Sequence, residues 1–244
     1  MSANFGKWDM STVASERRDG DKIEILKLQE GRSVLRFLPP QSGAKSPFVK
    51  VWQHYVNDPH ENRLHVFPCP ARMWGKSCPV CDHANKLSRT GNKADRERAY
   101  QLWPKVRVYS EVVDMNNEGA GVQVFAFGKR IYEDLLAVAS DEDAGGDFTD
   151  VEEGFNIIIE RSGTGKFDTS YKVFPSRRVE AFPDMGLLDL RVDLSRFTTA
   201  APEKTLIAAQ EAIGLPVTIE GRAVPKLTNI ADDMGIDEDD DVPF

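Results

Sequence analysis

Cysteine and histidine are scarce in this chain, three and four among 244 residues. An odd, small cysteine count does not suit a disulfide-stapled scaffold, and the opening MSANFGKWDMSTVASERRDG lacks the apolar core of a secretory signal. A reducing, cytoplasmic setting is expected. No apolar run approaches the roughly 20 residues of a membrane-spanning helix, so no membrane role is expected. Catalytic loops are missing too. Ser162-Gly163-Thr164-Gly165-Lys166 supplies part of a phosphate-binding loop, but the full spacing is incomplete and Phe167 stands where a magnesium-binding hydroxyl is needed. It reads instead as a hairpin turn between two strands. No serine occupies a Gly-x-Ser-x-Gly elbow, and no carboxylates are spaced as a pair, so no enzyme is expected. Finally, no basic residue occurs from Ala231 to Phe244, where seven acidic ones do; the rest is nearly balanced, 31 basic against 32 acidic. The net charge of −8 is therefore a property of one end, which reads as an interaction element or an internal competitor for a basic groove.

What is present is concentrated. All three cysteines (Cys69, Cys78, Cys81) and all four histidines (His54, His60, His65, His83) lie between His54 and His83. Three thiolates and one imidazole make a closed, tetrahedral, structural zinc site, with no open position for a nuclease-type reaction. Cys78-Pro79-Val80-Cys81 has knuckle spacing and is expected to lead into a helix over Asp82–Leu87. A redox CxxC would follow a strand; Ala71, Arg72, Trp74, Gly75 and Lys76 read as loop. The spacing leaves open which histidine is the fourth ligand, with His65, four residues before Cys69, among the candidates.

Along the chain, residues 1–20 read as a mobile arm. Period-two alternation predicts strands over Lys22–Leu28, Ser33–Leu38, Pro47–Tyr55, Arg63–Phe67, Lys105–Val113, Val122–Phe127, Phe155–Arg161 and Thr169–Phe174. Helices are expected over Ala94–Leu102, Lys129–Ala139 and Pro202–Ile213. Residues 175–199 read as irregular. The organisation is a core over 21–222, a zinc segment at about 52–103, and a linker with an acidic tail over 223–244. Short strands with a few capping helices point to a mainly β barrel or sandwich.

Aromatic and basic residues interleave on these strands. Lys105, Arg107 and Tyr109 share a face, Phe125 and Phe127 share another, and Lys129 and Arg130 follow. Unpaired nucleic acid is bound by such rings and cations, through base stacking and phosphate attraction. Phe125 and Phe127 are equally readable as core; Tyr109, beside two cations, is expected at the surface.

Several strings carry a family resemblance: Val34–Pro39 (VLRFLP), Pro47–His54 (PFVKVWQH), Ser77–Cys81 (SCPVC), Phe127–Ile131 (FGKRI) and Glu153–Asn156 (EGFN). In this order they resemble the single-stranded-DNA-binding, helix-destabilising proteins of T-even-type phages. The resemblance implies an OB-fold, a five-stranded Greek-key barrel, with an inserted zinc subdomain. It implies one Zn²⁺ held by His54, Cys69, Cys78 and Cys81; spacing alone keeps His65 as the alternative histidine. It further implies a DNA cleft with Tyr109, Phe125 and Phe167 among Lys105, Arg107, Lys129 and Arg130, to which the strand pattern adds Phe127, and a role in replication, recombination and repair. The relatives' arm carries a Lys-Arg-rich motif, whereas this arm offers only Lys7 and Arg17-Arg18. The tip, Asp239, Asp240, Asp241, Val242, Pro243 and Phe244, resembles the terminal hook of bacterial single-strand-binding proteins. That likeness implies docking of polymerase, helicase loader or recombinase. A zinc-stabilised protein-interaction adaptor without a nucleic-acid role is the competing reading.

Overall fold

The computed structural model describes residues 23, 25–141, 146–165 and 168–216. The expected arm over 1–20, Phe167 and the tail over 223–244 lie outside them. Strand-forming alternation produces one eight-stranded sheet: β1 (Ile25–Leu26), β2 (Gly31–Phe37), β3 (Val49–Asp58), β4 (Arg63–Pro68), β5 (Lys105–Asp114), β6 (Val122–Phe127), β7 (Phe155–Ser162) and β8 (Ser170–Val179). Five α-helices accompany it among the described residues: α1 (Pro70–Trp74), α2 (Pro79–Ser88), α3 (Lys93–Leu102), α4 (Lys129–Ser140) and α5 (Glu203–Ala212). None is long and apolar enough to cross a membrane.

The strand order is β1-β6-β5-β2-β7-β8, with β3 also on β5 and β4 on β3. Only β1 and β6 run parallel, so the sheet is mixed and the fold mainly β. β5 organises it. Its first half pairs with β3 (Val49↔Tyr109 to Gln53↔Lys105), its second half with β2 (Leu35↔Asp114 to Phe37↔Val112), and its other edge with β6. Every residue from Arg107 to Val113 is consequently buried.

The two faces of β5 meet different cores. On one, Val108 and Val112 join Leu35, Phe37, Phe125, Phe127, Ile157 and Ile159 under Ile131 and Leu135 of α4. Phe37 meets Phe125, Phe127 and Phe148 edge-on, with centroids 5.4–6.5 Å apart, the geometry that ring quadrupoles favour. On the other face, Val51, Tyr109, Val124 and Ala126 are covered by Leu194 and Phe197. Those two residues belong to a 3₁₀ turn over Leu194–Thr198. A third cluster joins Val56, Phe67, the three cysteines and Val80 to Ala209 of α5.

Three local departures from the expectation have physical causes. Residues 70–74 form a short helix, not a loop: Pro70 sits at its first turn, Cys69 caps it, and Gly75 ends it at φ 64°. α2 begins at Pro79, three residues before Asp82, because proline is pre-shaped for a first turn. β8 continues through Pro175 to Val179; it is an edge strand and its pairing with β7 is irregular near Phe155 and Ile157, settings that tolerate proline.

Candidate metal centre and nucleic-acid interface

β3, the β4–α1 junction and the start of α2 converge on four buried side chains. His54 comes from β3, where it lies opposite Phe67. The Cys69 N–H donates to the Trp52 carbonyl at 2.7 Å, which pins this residue just beyond β4. Cys78 caps α2 and Cys81 lies in its first turn. The Cys78 and Cys81 Sγ atoms stand 3.2 and 3.5 Å from His54 Nε2, and the Sγ atoms of Cys69 and Cys81 are 3.5 Å apart. All four donor atoms fall within 4.8 Å of one another. His65 is not among them: the structure brings His54 to the cysteines.

The surroundings prepare the donors. His54 Nδ1 donates to the Leu102 carbonyl at 2.8 Å, which orients the ring and leaves Nε2 facing the sulfurs. The Arg72 N–H reaches Cys69 Sγ at 3.5 Å. Burial works against charge on His54, yet its hydrogen bonds to Cys69 and Cys78 override that and push its pKa up to about 10. Cys69 is held low as a thiol by hydrogen bonds from Cys78 and Cys81. The pocket therefore sets a thiolate at Cys69 against a protonated His54, while hydrogen bonds to Cys69 and Cys78 push the Cys81 thiol up. Buried, closed and sulfur-rich, the donor set is compatible with a structural zinc ion.

The residues expected at a DNA cleft divide between faces. Phe125 and Phe127 are 3% and 1% exposed and belong to the main core. Burial against Phe37 removes them from the stacking surface that the sequence suggested. Tyr109 corrects a second expectation: it is 4% exposed, not at the surface. Its ring lies flat under Phe197, with centroids 3.9 Å apart and planes 8° apart, and its hydroxyl donates to Gln53 Oε1 at 3.0 Å. Burial pushes the Tyr109 hydroxyl pKa up. Arg107 is buried beside it and donates to the Ala126 carbonyl at 2.9 Å. Lys105 and Lys129 are half-buried and Arg130 is exposed at the start of α4. Phe167 and the six tip residues lie outside the described residues.

The structure adds ring–cation pairs that strand alternation alone did not single out. Lys105 Nζ lies 4.7 Å from the Tyr100 ring, Arg72 is 5.0 Å from Trp52, and Lys50 Nζ is 5.8 Å from Tyr132. Each ring is half-buried and therefore partly accessible. Lys50 and Trp52 share one face of β3, and Phe48, just before the strand, meets Tyr132 edge-on at 5.5 Å. The sequence signal was present in PFVKVWQH, but partners distant in sequence such as Tyr132 are invisible to local periodicity.

Comparison with known proteins supplies the lineage. The chain is 27% identical over 257 aligned positions to the protein named single-stranded DNA-binding protein of Enterobacteria phage T4, covering 96% of this chain and 84% of that protein. It is 28% identical over 204 positions to the protein of the same name from Enterobacteria phage T2, covering 76% and 66% respectively. The sequence model of the family described as gp32 DNA binding protein like matches residues 29–215, a span that contains β2–β8 and all four donor residues. This chain belongs to that T4-type phage family.

Proposed function

We propose that the protein is a non-enzymatic, sequence-independent single-stranded-DNA-binding protein serving phage replication, recombination and repair. The family match over 29–215 carries the reading, together with the names of the T4 and T2 relatives. On this reading the sheet is an OB-fold barrel. Bases stack on the half-buried rings of Phe48, Trp52, Tyr100 and Tyr132, while Lys50, Lys105, Lys129 and Arg130 follow the phosphates. Arg107 and Tyr109 join that surface only when Phe197 is displaced; Phe125 and Phe127 support it from the core. Phe167, which lies outside the described residues, is proposed as a further stacking ring.

The zinc ion is held by His54, Cys69, Cys78 and Cys81 and contributes folding energy rather than chemistry. The residues Asp239, Asp240, Asp241, Val242, Pro243 and Phe244 recruit replication and recombination proteins, with polymerase, helicase loader and recombinase as the candidate partners. An acidic run followed by a terminal aromatic suits a basic, ring-sized pocket.

Fluorescence titration with oligo-dT at two salt concentrations tests this, on the full chain and on a chain lacking residues 231–244. Affinity is expected to fall steeply with salt, because bound cations release counterions from the strand. Removing the tail is expected to tighten binding. Equal affinity for duplex, or a flat salt response, would sink the reading and favour the protein-interaction adaptor.

A further inference from the structure

The β3–β4 hairpin carries a second donor cluster, separate from the cysteines. Asp58, Glu61 and His65 each offer one donor atom, and these lie within 4.8 Å of one another. Strand register explains the meeting. His54, Val56 and Asp58 alternate onto one face of β3; Val56 pairs with His65 and Asp58 with Arg63, so Asp58 and His65 are diagonal neighbours on that face.

His65 distinguishes this group from an ordinary surface carboxylate cluster. The residue is 4% exposed, and its Nε2 is buried with no hydrogen-bond partner among the described residues. Asp58 Oδ2 stands 3.8 Å from it, beyond hydrogen-bond range. A buried, unpartnered imidazole nitrogen is costly. Two ligands of one ion, each about 2.0–2.2 Å from it, stand farther apart than a hydrogen-bonded pair, so the gap suits an ion better than direct contact.

The carboxylates are available. Asp58 uses its other oxygen, Oδ1, to accept the N–H groups of His60 and Glu61 at 2.8 and 3.2 Å, which leaves Oδ2 facing His65. Glu61 is exposed, and can therefore close over the group from the solvent side.

We infer that Asp58, Glu61 and His65 form a second divalent-cation site at the tip of this hairpin. One imidazole and two carboxylates suit a borderline ion such as Zn²⁺ or Co²⁺, with water in the remaining positions. The ion would clip the hairpin tip as the cysteine cluster clips its base. The inference does not depend on DNA binding.

The test uses the full chain, first loaded with one equivalent of Co²⁺. Thiolate-to-cobalt absorption reports the cysteine cluster, and isothermal titration with further Co²⁺ or Zn²⁺ reports the second site. A second equivalent that adds no thiolate absorption is expected. Glu61→Gln and Asp58→Asn should each weaken it at least the ~10-fold that loss of even an outer-shell partner costs, and leave the thiolate band unchanged. His65→Gln is the stricter variant, with the same band showing that the fold survived. Titration that stops at one equivalent overturns the inference. So does a second equivalent that persists in all three variants, which would be an adventitious ion only.

Discussion

Arg191 grips Glu111 across eighty residues of chain, with Nη2 at 2.8 Å and Nε at 2.9 Å from the same carboxylate oxygen. The second oxygen accepts the Val192 N–H at 2.6 Å. The Glu111 side chain is 1% exposed, so its charge relies on these partners and on Gln41. This clamp fastens the segment that carries Leu194 and Phe197 onto the Tyr109 face. Arg191→Ala is expected to cost about 3 kcal/mol, because it strands a buried carboxylate. Urea unfolding measures the loss, and the tyrosine near-ultraviolet signal should change as Phe197 loosens.

Ring substitutions should separate the two aromatic faces. Tyr132→Ala is expected to weaken oligo-dT binding by about 1–3 kcal/mol, the worth of one stacked base. Tyr109→Ala should leave affinity much less affected and instead lower stability, since its ring already stacks on Phe197. Paired titration and thermal melts on both variants decide between them.

Metal removal should act on stability. Stripping the protein with a strong chelator, or replacing Cys78 with serine, is expected to lower the melting temperature. Re-addition of Zn²⁺ should restore the untouched chain but not the variant. Acidification should release the ion, because thiols and imidazole must lose protons to bind it.

Gly154 admits no side chain. A Cβ there would sit 2.7 Å from Arg36 Nη2 and 2.8 Å from the Phe148 carbonyl, with the Asp150 carbonyl closer still. Arg36 is buried and donates to that Asp150 carbonyl at 2.6 Å, so it cannot retreat. Gly154→Ala is expected to cost about 1–3 kcal/mol, the usual range for overpacking, measured by urea unfolding.

Two carboxylates give the acid limb of the stability curve a definite sign. N–H donors from Glu153 and Glu152 hold the Asp150 carboxyl below its ordinary range. The Ser195 hydroxyl and N–H do the same for Asp193. A lowered folded pKa adds stability above the unfolded value, about 3.9, and loses it as pH falls through the folded one. The urea midpoint should therefore drop between about pH 5 and about pH 3. Asp150→Asn is expected to flatten that drop.

The Cys₃His donor cluster was legible in the sequence because its residue types are rare and gathered together. The strands were legible because alternation survives wherever one face is dry. What alternation could not give was which face is covered from far away. Lys105, Arg107 and Tyr109 do share a face, but the lid over Tyr109 comes from residues 191–197, a stretch without periodicity held by Arg191. Phe125 and Phe127 share a face as expected, and only β6 pairing on β5 turns that face toward Phe37. His54 and His65 were hard to separate for a related reason. Both project from the same face of one hairpin, and register, not spacing, sends one to the cysteines and the other to Asp58.

The packing of α5 has a kinetic consequence for the cysteine cluster. Ala209 is fully buried against it, with Leu206 alongside, so this late helix covers one side of the cysteine cluster. On the proposed zinc reading, ion exchange is expected to wait for the helix to undock, an opening set by local stability rather than by ligand affinity. A chelator's rate of attack should saturate with its concentration, at the frequency with which residues 203–212 lift away.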